Sequence, residues 1–408
     1  MRDFYPEDMA IRNHIFQVWH NSARLHGFLN YDSCVVENLS LLKRKAGEEI
    51  TEQIYSFIDK SNRELALRPE MTPTLARMLI ARQNSMQFPA KWYTIAQCFR
   101  YERMSKGRKR EHFQWNLDIA GEPSTSAEAE IIAAAITAMR ALGLTAGDIK
   151  VRINSRALMA ELLIKHGIQQ EHTASVFMAI DKYGKIPEPE IVKMLTAACL
   201  SEEGIKAVFE IMKINSIDAA KSAAGDESPA MRAIIEIWGA ISTYGLTDFI
   251  EFDMSVVRGL GYYTGIVFEC YDIKKEHRAI FGGGRYDNLI SDLGGNKIPC
   301  VGMGFGDVVI AELLAEKGLL PTGSAPALVA VGCMDKPSMS LAIEIAVMFR
   351  NNGESVDLAL APEKPKNFFS RCSSAGFDRA VYIGPDDVKS RKIRIKDLKT
   401  RQETELSL

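Results

Sequence analysis

Apolar residues recur at helical spacing over residues 7–27, where Ile11, Ile15, Phe16, Val18 and Trp19 share a face. The spacing predicts an amphipathic helix. A polar stretch, Lys43 to Gln53, follows. Two short strands come next, Ile54 to Asp59 and Leu65 to Arg68, with a turn at Lys60-Ser61-Asn62. Pro69 and Glu70 then open a helix from Thr72 to about Arg82, since proline suits the first helical turn and an acid suits its positive end. Strand alternation resumes at Trp92 to Tyr101 and, beyond a basic turn, at Phe113 to Ile119. Strands joined this way make antiparallel hairpins, not a βαβ repeat.

An Ala-rich helix is expected from Ala127 to Ala141 and a strand from Ile149 to Ile153. From about 160 to 243 the pattern is nearly all helical, with Pro187 and Pro189 as breakers. Strands return at Phe249 to Phe252 and Tyr262 to Tyr271. The run Gly282-Gly283-Gly284 and the spaced glycines Gly302, Gly304 and Gly306 lie in this strand-rich stretch. A linker is expected at 321–326. Beyond it, strands at Ala327 to Val331, Val356 to Leu360 and Ala380 to Ile383 alternate with helices at Met339 to Asn351 and Asn367 to Ser374, which predicts a largely parallel sheet. The expectation is α/β overall. An α+β domain with an antiparallel sheet spans 1–322, a helical insertion at 168–232 interrupts it, and a small α/β domain spans 325–408.

Composition changes this picture little. With 408 residues, 47% hydrophobic and 25% charged, the chain has the makeup of an ordinary globular protein. Its cysteines, at 34, 98, 199, 270, 300, 333 and 372, form no CxxC pair, and its histidines form no HExxH motif, so no protein-held metal is expected. No apolar run reaches the length of a membrane span and the start lacks a signal-peptide core, which points to the cytoplasm. The net charge of −2 argues against a global basic field. It is an average, however. Residues 325–408 hold 13 Lys/Arg against 11 Asp/Glu, or +2, which leaves 37 against 41, or −4, for the rest.

The densest chemical signal is Phe99-Arg100-Tyr101-Glu102-Arg103 with Lys106-Gly107-Arg108-Lys109-Arg110. Six Lys/Arg and two Glu fall between Arg100 and His112. Alternation places Arg100 and Glu102 on one face and puts Gln114, Asn116 and Asp118 together on the next strand. Guanidinium forks suit a polyphosphate. Alone, the basic run also reads as a solvated turn. A second signal is Arg258-Gly259-Leu260-Gly261-Tyr262-Tyr263-Thr264-Gly265, where glycines admit a ligand close to the backbone and two tyrosines offer hydrogen-bonding walls. Alone, it also reads as a tight turn with core tyrosines. Gly282-Gly283-Gly284-Arg285-Tyr286-Asp287 lacks the spacing of a dinucleotide loop. The tail holds seven Lys/Arg from Lys389 to Arg401 against Asp397, with Lys392, Arg394 and Lys396 alternating with isoleucines. That pattern fits a phosphate-binding strand or a lysine-protected edge.

In this order, these segments resemble a class II aminoacyl-tRNA synthetase, specifically the histidyl-tRNA synthetase family, over nearly the whole chain. The run from Ser61 to Thr72 is similar to the family's histidine-pocket entrance, and Phe99 to Asp118 to its motif 2 hairpin. Arg258–Gly265 and Gly283–Asp287 resemble its two histidine-specific signatures, and the last 80 or so residues its anticodon-binding domain. The resemblance implies that histidine is activated with ATP to histidyl-adenylate and pyrophosphate, then passed to the 3′ end of tRNA, by a homodimer. ATP is a substrate and Mg²⁺ sits on the leaving pyrophosphate.

The resemblance also implies residue roles. Arg100 and Arg258 would be catalytic cations at the α-phosphate. Glu70, Thr72, Arg100, Gln114, Asp118, Arg258, Tyr262, Tyr263 and Tyr286 would hold histidine. Arg100, Glu102, Arg108 and His112 would hold ATP, and Lys392, Arg394 and Lys396 would meet tRNA. His112 stands where the family usually has phenylalanine and Asp118 where many members have glutamate. Val309 stands where class II motif 3 has arginine, and Gly261 replaces a commoner aspartate. The motif 1 proline is missing around Cys34 to Asn38. Two silent relatives would share this fold. The synthetase-like regulatory subunit of ATP phosphoribosyltransferase usually lacks the C-terminal domain and the Arg258 signature, and both are intact here. A non-enzymatic RNA-binding regulator would draw its support from Val309.

Overall fold

The computed structural model describes residues 2–44, 52–321 and 328–408. Residues 45–51 of the polar stretch, 322–326 of the expected linker with the domain boundary drawn there, and Ala327 at the start of the next expected strand lie outside the described residues. The chain forms two compact units, residues 1–321 and 322–408.

The first unit carries, in chain order, β1 (Leu29–Asn30), β2 (Val36–Asn38), β3 (Ser56–Ile58), β4 (Glu64–Leu67), β5 (Ala90–Phe99), β6 (Glu111–Ala120), β7 (Ile149–Ser155), β8 (Ile250–Phe252), β9 (Ile266–Asp272), β10 (Phe281–Arg285) and β11 (Cys300–Gly306). Eight of them form one sheet in the order β1-β5-β6-β11-β10-β9-β7-β8, antiparallel except at its two edges. Period-two alternation splits β6 into two faces. Trp115, Leu117 and Ile119 are buried in a core with Trp19 and Phe305, the Trp19 and Trp115 rings stacking 5.8 Å apart. The helices Pro6–Leu25 and Ser126–Ala141 contribute to this core. The opposite face of β6 presents His112, Gln114, Asn116 and Asp118. Opposite the last three, β11 places Gly306, Gly304 and Gly302.

Two expected strands are displaced. The first ends at Phe99 rather than Tyr101; one further bond, Arg100 N–H to Arg110 C=O at 3.0 Å, precedes the hairpin loop. The other starts at Ile266 rather than Tyr262, because the glycine-rich segment before it turns instead of extending. The helical stretch is present as Arg156–Lys165, Thr173–Asp181, Glu188–Ala197, Glu202–Met212, Ile217–Ala224 and Pro229–Thr243. Ser201, Ser216 and Ser228 cap the last three, each accepting the N–H three residues on. Among the described residues, no helix is long and apolar enough to cross a membrane.

The second unit is a five-stranded sheet of β12 (Leu328–Cys333), β13 (Ser355–Leu358), β14 (Arg379–Ile383), β15 (Lys392–Asp397) and β16 (Glu403–Ser407), ordered β13-β12-β14-β15-β16. The expected parallel sheet is only half right. β12 runs parallel to both neighbours, but β14, β15 and β16 pair antiparallel. A parallel crossover needs about a dozen residues, and the helix Pro385–Ser390 is too short to provide one. The final turn closes where Asp397 Oδ1 accepts the N–H groups of Lys399 and Thr400 at 2.9 and 2.7 Å.

Candidate active site

A cavity of about 1060 Å³ opens in the first unit. Its glycines answer its polar side chains. A Cβ at Gly302 would overlap the Asp118 carboxylate, and one at Gly304 would overlap the Gln114 amide. Only glycine on β11 leaves room for these groups between the strands.

One half is acid and tyrosine. Glu70, buried just before the helix Thr72–Arg82, accepts a 3.0 Å hydrogen bond from the Tyr262 hydroxyl. Burial raises its carboxyl, with Arg100 and Arg258 pulling the other way. Tyr262 packs 4.9 Å from Tyr263 and edge-on, 5.7 Å, against Tyr286. Tyr286 donates a 2.6 Å hydrogen bond to Asp118 Oδ1. Burial, reinforced by the charge of Glu70, pushes Asp118 up to about 7, although the Tyr286 bond works against this. Asp118 Oδ2, Asn116 Oδ1 and the Tyr31 hydroxyl are buried and meet no hydrogen-bond partner among the described residues. Of the three residues Asn116 lines the cavity, where its Oδ1 can accept from a bound donor.

The other half is cationic. Arg258 has a left-handed backbone, φ 57°, unusual for a bulky residue and costing of order 1–3 kcal/mol. Its neighbours hold it there. Arg156 Nη1 donates to the Leu260 carbonyl at 2.8 Å, and a Cβ at Gly259 would lie 2.7 Å from Asp181 Oδ2, at the end of the helix Thr173–Asp181. The Arg258 guanidinium pairs with Glu269, which the Tyr271 hydroxyl also contacts. Burial works against the charge on Arg258, but Glu269 holds it more firmly protonated than usual. Despite burial, Arg258 keeps Glu269 below the ordinary carboxylate range.

Arg100 donates from Nε to the Pro69 carbonyl at 3.0 Å, which ties the hairpin to the segment carrying Glu70. Glu102 lies 4.0 Å from Arg100 and 2.8 Å from Arg108 Nε. The closer contact is off the N–H line, so it is ionic rather than a hydrogen bond. His112 reaches Gln114 at 3.3 Å. Burial, with Arg100 adding to it, lowers the imidazole to about 3, so the ring is neutral at physiological pH and presents a flat face. The hairpin tip is fixed on the helix Asp307–Glu316. Lys106 pairs with Glu316 at 3.0 Å, and Gly107 N–H donates to Glu312 at 3.2 Å.

Glu70, Thr72, Arg100, Glu102, Arg108, His112, Gln114, Arg258, Tyr262, Tyr263 and Tyr286 therefore line one cavity, with Asp118 behind Gly302 and bonded to Tyr286. Lys392, Arg394 and Lys396 belong to the other unit. Lys392 pairs with Glu405 at 2.7 Å and Lys396 with Glu403 at 3.4 Å. Sequence reasoning missed Glu269, Arg156, Asp181 and Tyr31. Only Glu269 left a trace, as the one acid in an otherwise apolar and aromatic run from Ile266 to Tyr271. Arg285 in the second signature faces away from substrate chemistry, forking onto buried Glu128 with two 2.6 Å bonds.

Among the described residues, no three His, Cys, Asp or Glu converge as a metal cage. The cavity carboxylates are engaged, Glu102 with Arg108, Glu269 with Arg258 and Glu70 with Tyr262.

Comparison with known proteins identifies the family. Residues 1–306 match the histidyl-tRNA synthetase family, and residues 328–408 match the anticodon binding domain. The chloroplastic/mitochondrial histidine–tRNA ligase of Arabidopsis thaliana is 42% identical over 407 residues, covering 100% of this chain and 84% of that protein. The histidine–tRNA ligase of Opitutus terrae is 38% identical, covering 99% and 94%. The crystal structure of histidyl-tRNA synthetase from a Nostoc species superposes with a TM-score of 0.81 at 22% identity, covering 100% of this chain and 95% of that one, and so shares the fold. The chain belongs to the histidyl-tRNA synthetase family.

Proposed function

We infer that the chain ligates histidine to tRNA in two steps within this cavity. In the first, a carboxylate oxygen of histidine attacks the α-phosphorus of ATP. The bond to the bridging oxygen breaks, pyrophosphate leaves with its electron pair, and histidyl-adenylate remains. In the second, a ribose hydroxyl at the 3′ end of tRNA attacks the histidyl carbonyl, and AMP leaves. Residues 1–322 would be the catalytic domain, 168–232 its helical insertion, and 325–408 the anticodon-binding domain.

The first step joins two anions, so its barrier is largely electrostatic. Arg258 and Arg100 are the catalytic cations in this reading. Arg258 is supported by its forced backbone and its Glu269 partner, because a guanidinium already held in place needs no reorganisation as charge develops. Glu70 and Thr72 would take the α-amino group, and Gln114, Asp118, Tyr262, Tyr263 and Tyr286 the rest of histidine. Glu102, Arg108 and the neutral His112 ring would hold ATP. Mg²⁺ would enter with ATP as part of that substrate, and would neutralise charge on the leaving pyrophosphate. Lys392, Arg394 and Lys396 would contact tRNA.

A homodimer is part of the same reading, as the family resemblance implies. A cytoplasmic location belongs to the same reading.

The observation that carries this reading is the meeting, in one cavity, of the Glu70–Tyr262 and Asp118–Tyr286 pairs with Arg100 and Arg258. The test is histidine-dependent ATP–pyrophosphate exchange. The full-length chain should exchange label only when histidine is present. Equal exchange with any amino acid, or none at all, would remove the reading.

A further inference from the structure

Residues 253–265 join β8 to β9 and carry Arg258, Tyr262 and Tyr263, yet they are neither helix nor strand. Such a segment has no ladder of its own, so its carbonyls must find donors elsewhere. Four of them find donors on two residues. Asn154, in β7, donates from Nδ2 to the Met254 and Val256 carbonyls, both at 2.9 Å. Arg156, one residue beyond β7, donates from Nη1 to the Leu260 carbonyl at 2.8 Å and from its N–H to the Gly265 carbonyl at 2.9 Å. Asn154 therefore grips the chain just before Arg258, and Arg156 grips it on both sides of Tyr262 and Tyr263.

These donors are themselves fixed. β7 is an inner strand, with β8 on one side and β9 on the other. Asn154 is fully buried, and its Oδ1 accepts the Ser155 N–H at 2.6 Å. The Arg156 guanidinium lies 4.4 Å over the Phe177 ring, on the helix Thr173–Asp181. Neither residue lines the cavity, so each can reach the chemistry only through the segment it holds. We propose that Asn154 and Arg156 are positioning residues for the reaction: Asn154 sets the backbone from which Arg258 projects, and Arg156 sets the two tyrosines that face histidine. A shift of about 1 Å in a reacting group can cost about 10²-fold in rate, so such support matters without touching substrate. This rests on the reading that the cavity takes ATP and histidine.

The test is pyrophosphate exchange by the full chain carrying Arg156→Met or Asn154→Ala, with the Tm measured alongside. Arg156→Met keeps an apolar stem against Phe177 and the backbone N–H to Gly265, and removes the donor to Leu260. It should raise the KM for histidine about tenfold, the weight of one buried hydrogen bond. The KM for ATP should stay where it was, because none of these four bonds reaches the hairpin 100–112. Asn154→Ala should lower kcat about tenfold, while the histidine KM moves less. An unchanged histidine KM in Arg156→Met would overturn the proposal, as would an unchanged kcat in Asn154→Ala. So would a rise in the histidine and ATP KM values together with a lower Tm, the mark of a merely loosened fold. Where Asn154→Ala does not fold, the split between the two KM values in Arg156→Met decides alone. Absence of exchange in the unaltered chain is a different failure, that of the site's assignment to histidine and ATP.

Discussion

Two stretches of this chain look alike in sequence and are used differently by the fold. Residues 100–110 and 389–401 are its densest basic runs. In the first, four of the six cations have a fixed contact. Arg100 is bonded to the Pro69 carbonyl, Arg108 lies 2.8 Å from Glu102, Arg110 lies 4.4 Å over the Tyr101 ring, and Lys106 fastens the tip to Glu316. In the second, β16 lies alongside and supplies acids. Lys392 meets Glu405, Lys396 meets Glu403, Lys399 meets Asp378, and Arg391 meets Glu344. A run of positive charge thus has no fixed meaning. What decides is whether its neighbours aim it into a closed space, where screening is weak, or neutralise it at a wet surface, where it is strong.

The largest effect is therefore expected from a single charge inside the cavity. Arg258→Ala should lower pyrophosphate exchange about 10²–10³-fold, the usual loss when one preorganised donor to a transition state is removed. Glu269→Gln should lower kcat more than it raises either KM, because Glu269 pairs with Arg258 and acts through it. If Arg258→Ala proved no worse than a change at Lys392, the contrast between the two basic runs would collapse.

A smaller and pH-dependent effect is expected at Asp118. Its carboxyl is pushed up to about 7, so it gains a proton as pH falls through 7 and loses the charged acceptor that backs Tyr286. Below that pH, kcat/KM for histidine should fall about tenfold per unit. Free histidine titrates nearby, so the comparison is with Asp118→Asn, which should keep only the substrate's own limb. The stability sign is opposite to the usual carboxylate case. A raised folded value means that the stabilisation is present at low pH and is lost as pH rises through 7. Asp118→Asn should accordingly raise the Tm at pH 8 and change it less at pH 5. An unchanged pH profile in the variant would show that Asp118 does not report on histidine.

How far each region could be read in advance follows from the same contrast. The polar face of β6 was legible because alternation alone puts Gln114, Asn116 and Asp118 on one side. The roles at Arg258 and Tyr286 came from resemblance, since a glycine-rich turn and a Gly-Gly-Gly-Arg run have no periodicity to read. Asp181 and Arg156 were hidden for a physical reason. They act on Arg258 through contacts between segments distant in sequence, and no local pattern records such a contact. The tail was legible only in part, for the same reason. The alternation of Lys392, Arg394 and Lys396 was visible, but the antiparallel strand Glu403–Ser407 that faces it was not anticipated, and that strand changes the charge.

The tail therefore yields the smallest and most discriminating prediction. In β15, Lys392 and Lys396 have acidic partners, while Arg394 sits opposite Glu405 in register and is exposed. Phosphate binding is read as counterion release, and a cation already paired releases less. Arg394→Ala should lower the salt slope of tRNA binding by about one unit. Lys392→Ala and Lys396→Ala should change it less, and adenylate formation should be unaffected in all three. The sharper variant is Glu403→Gln with Glu405→Gln, which frees both lysines. It should strengthen tRNA binding, within about fivefold given the modest worth of exposed pairs, and steepen the slope. If freeing the lysines left both affinity and slope unchanged, the basic strand would be an edge protected by its own ion pairs, and tRNA would be held elsewhere.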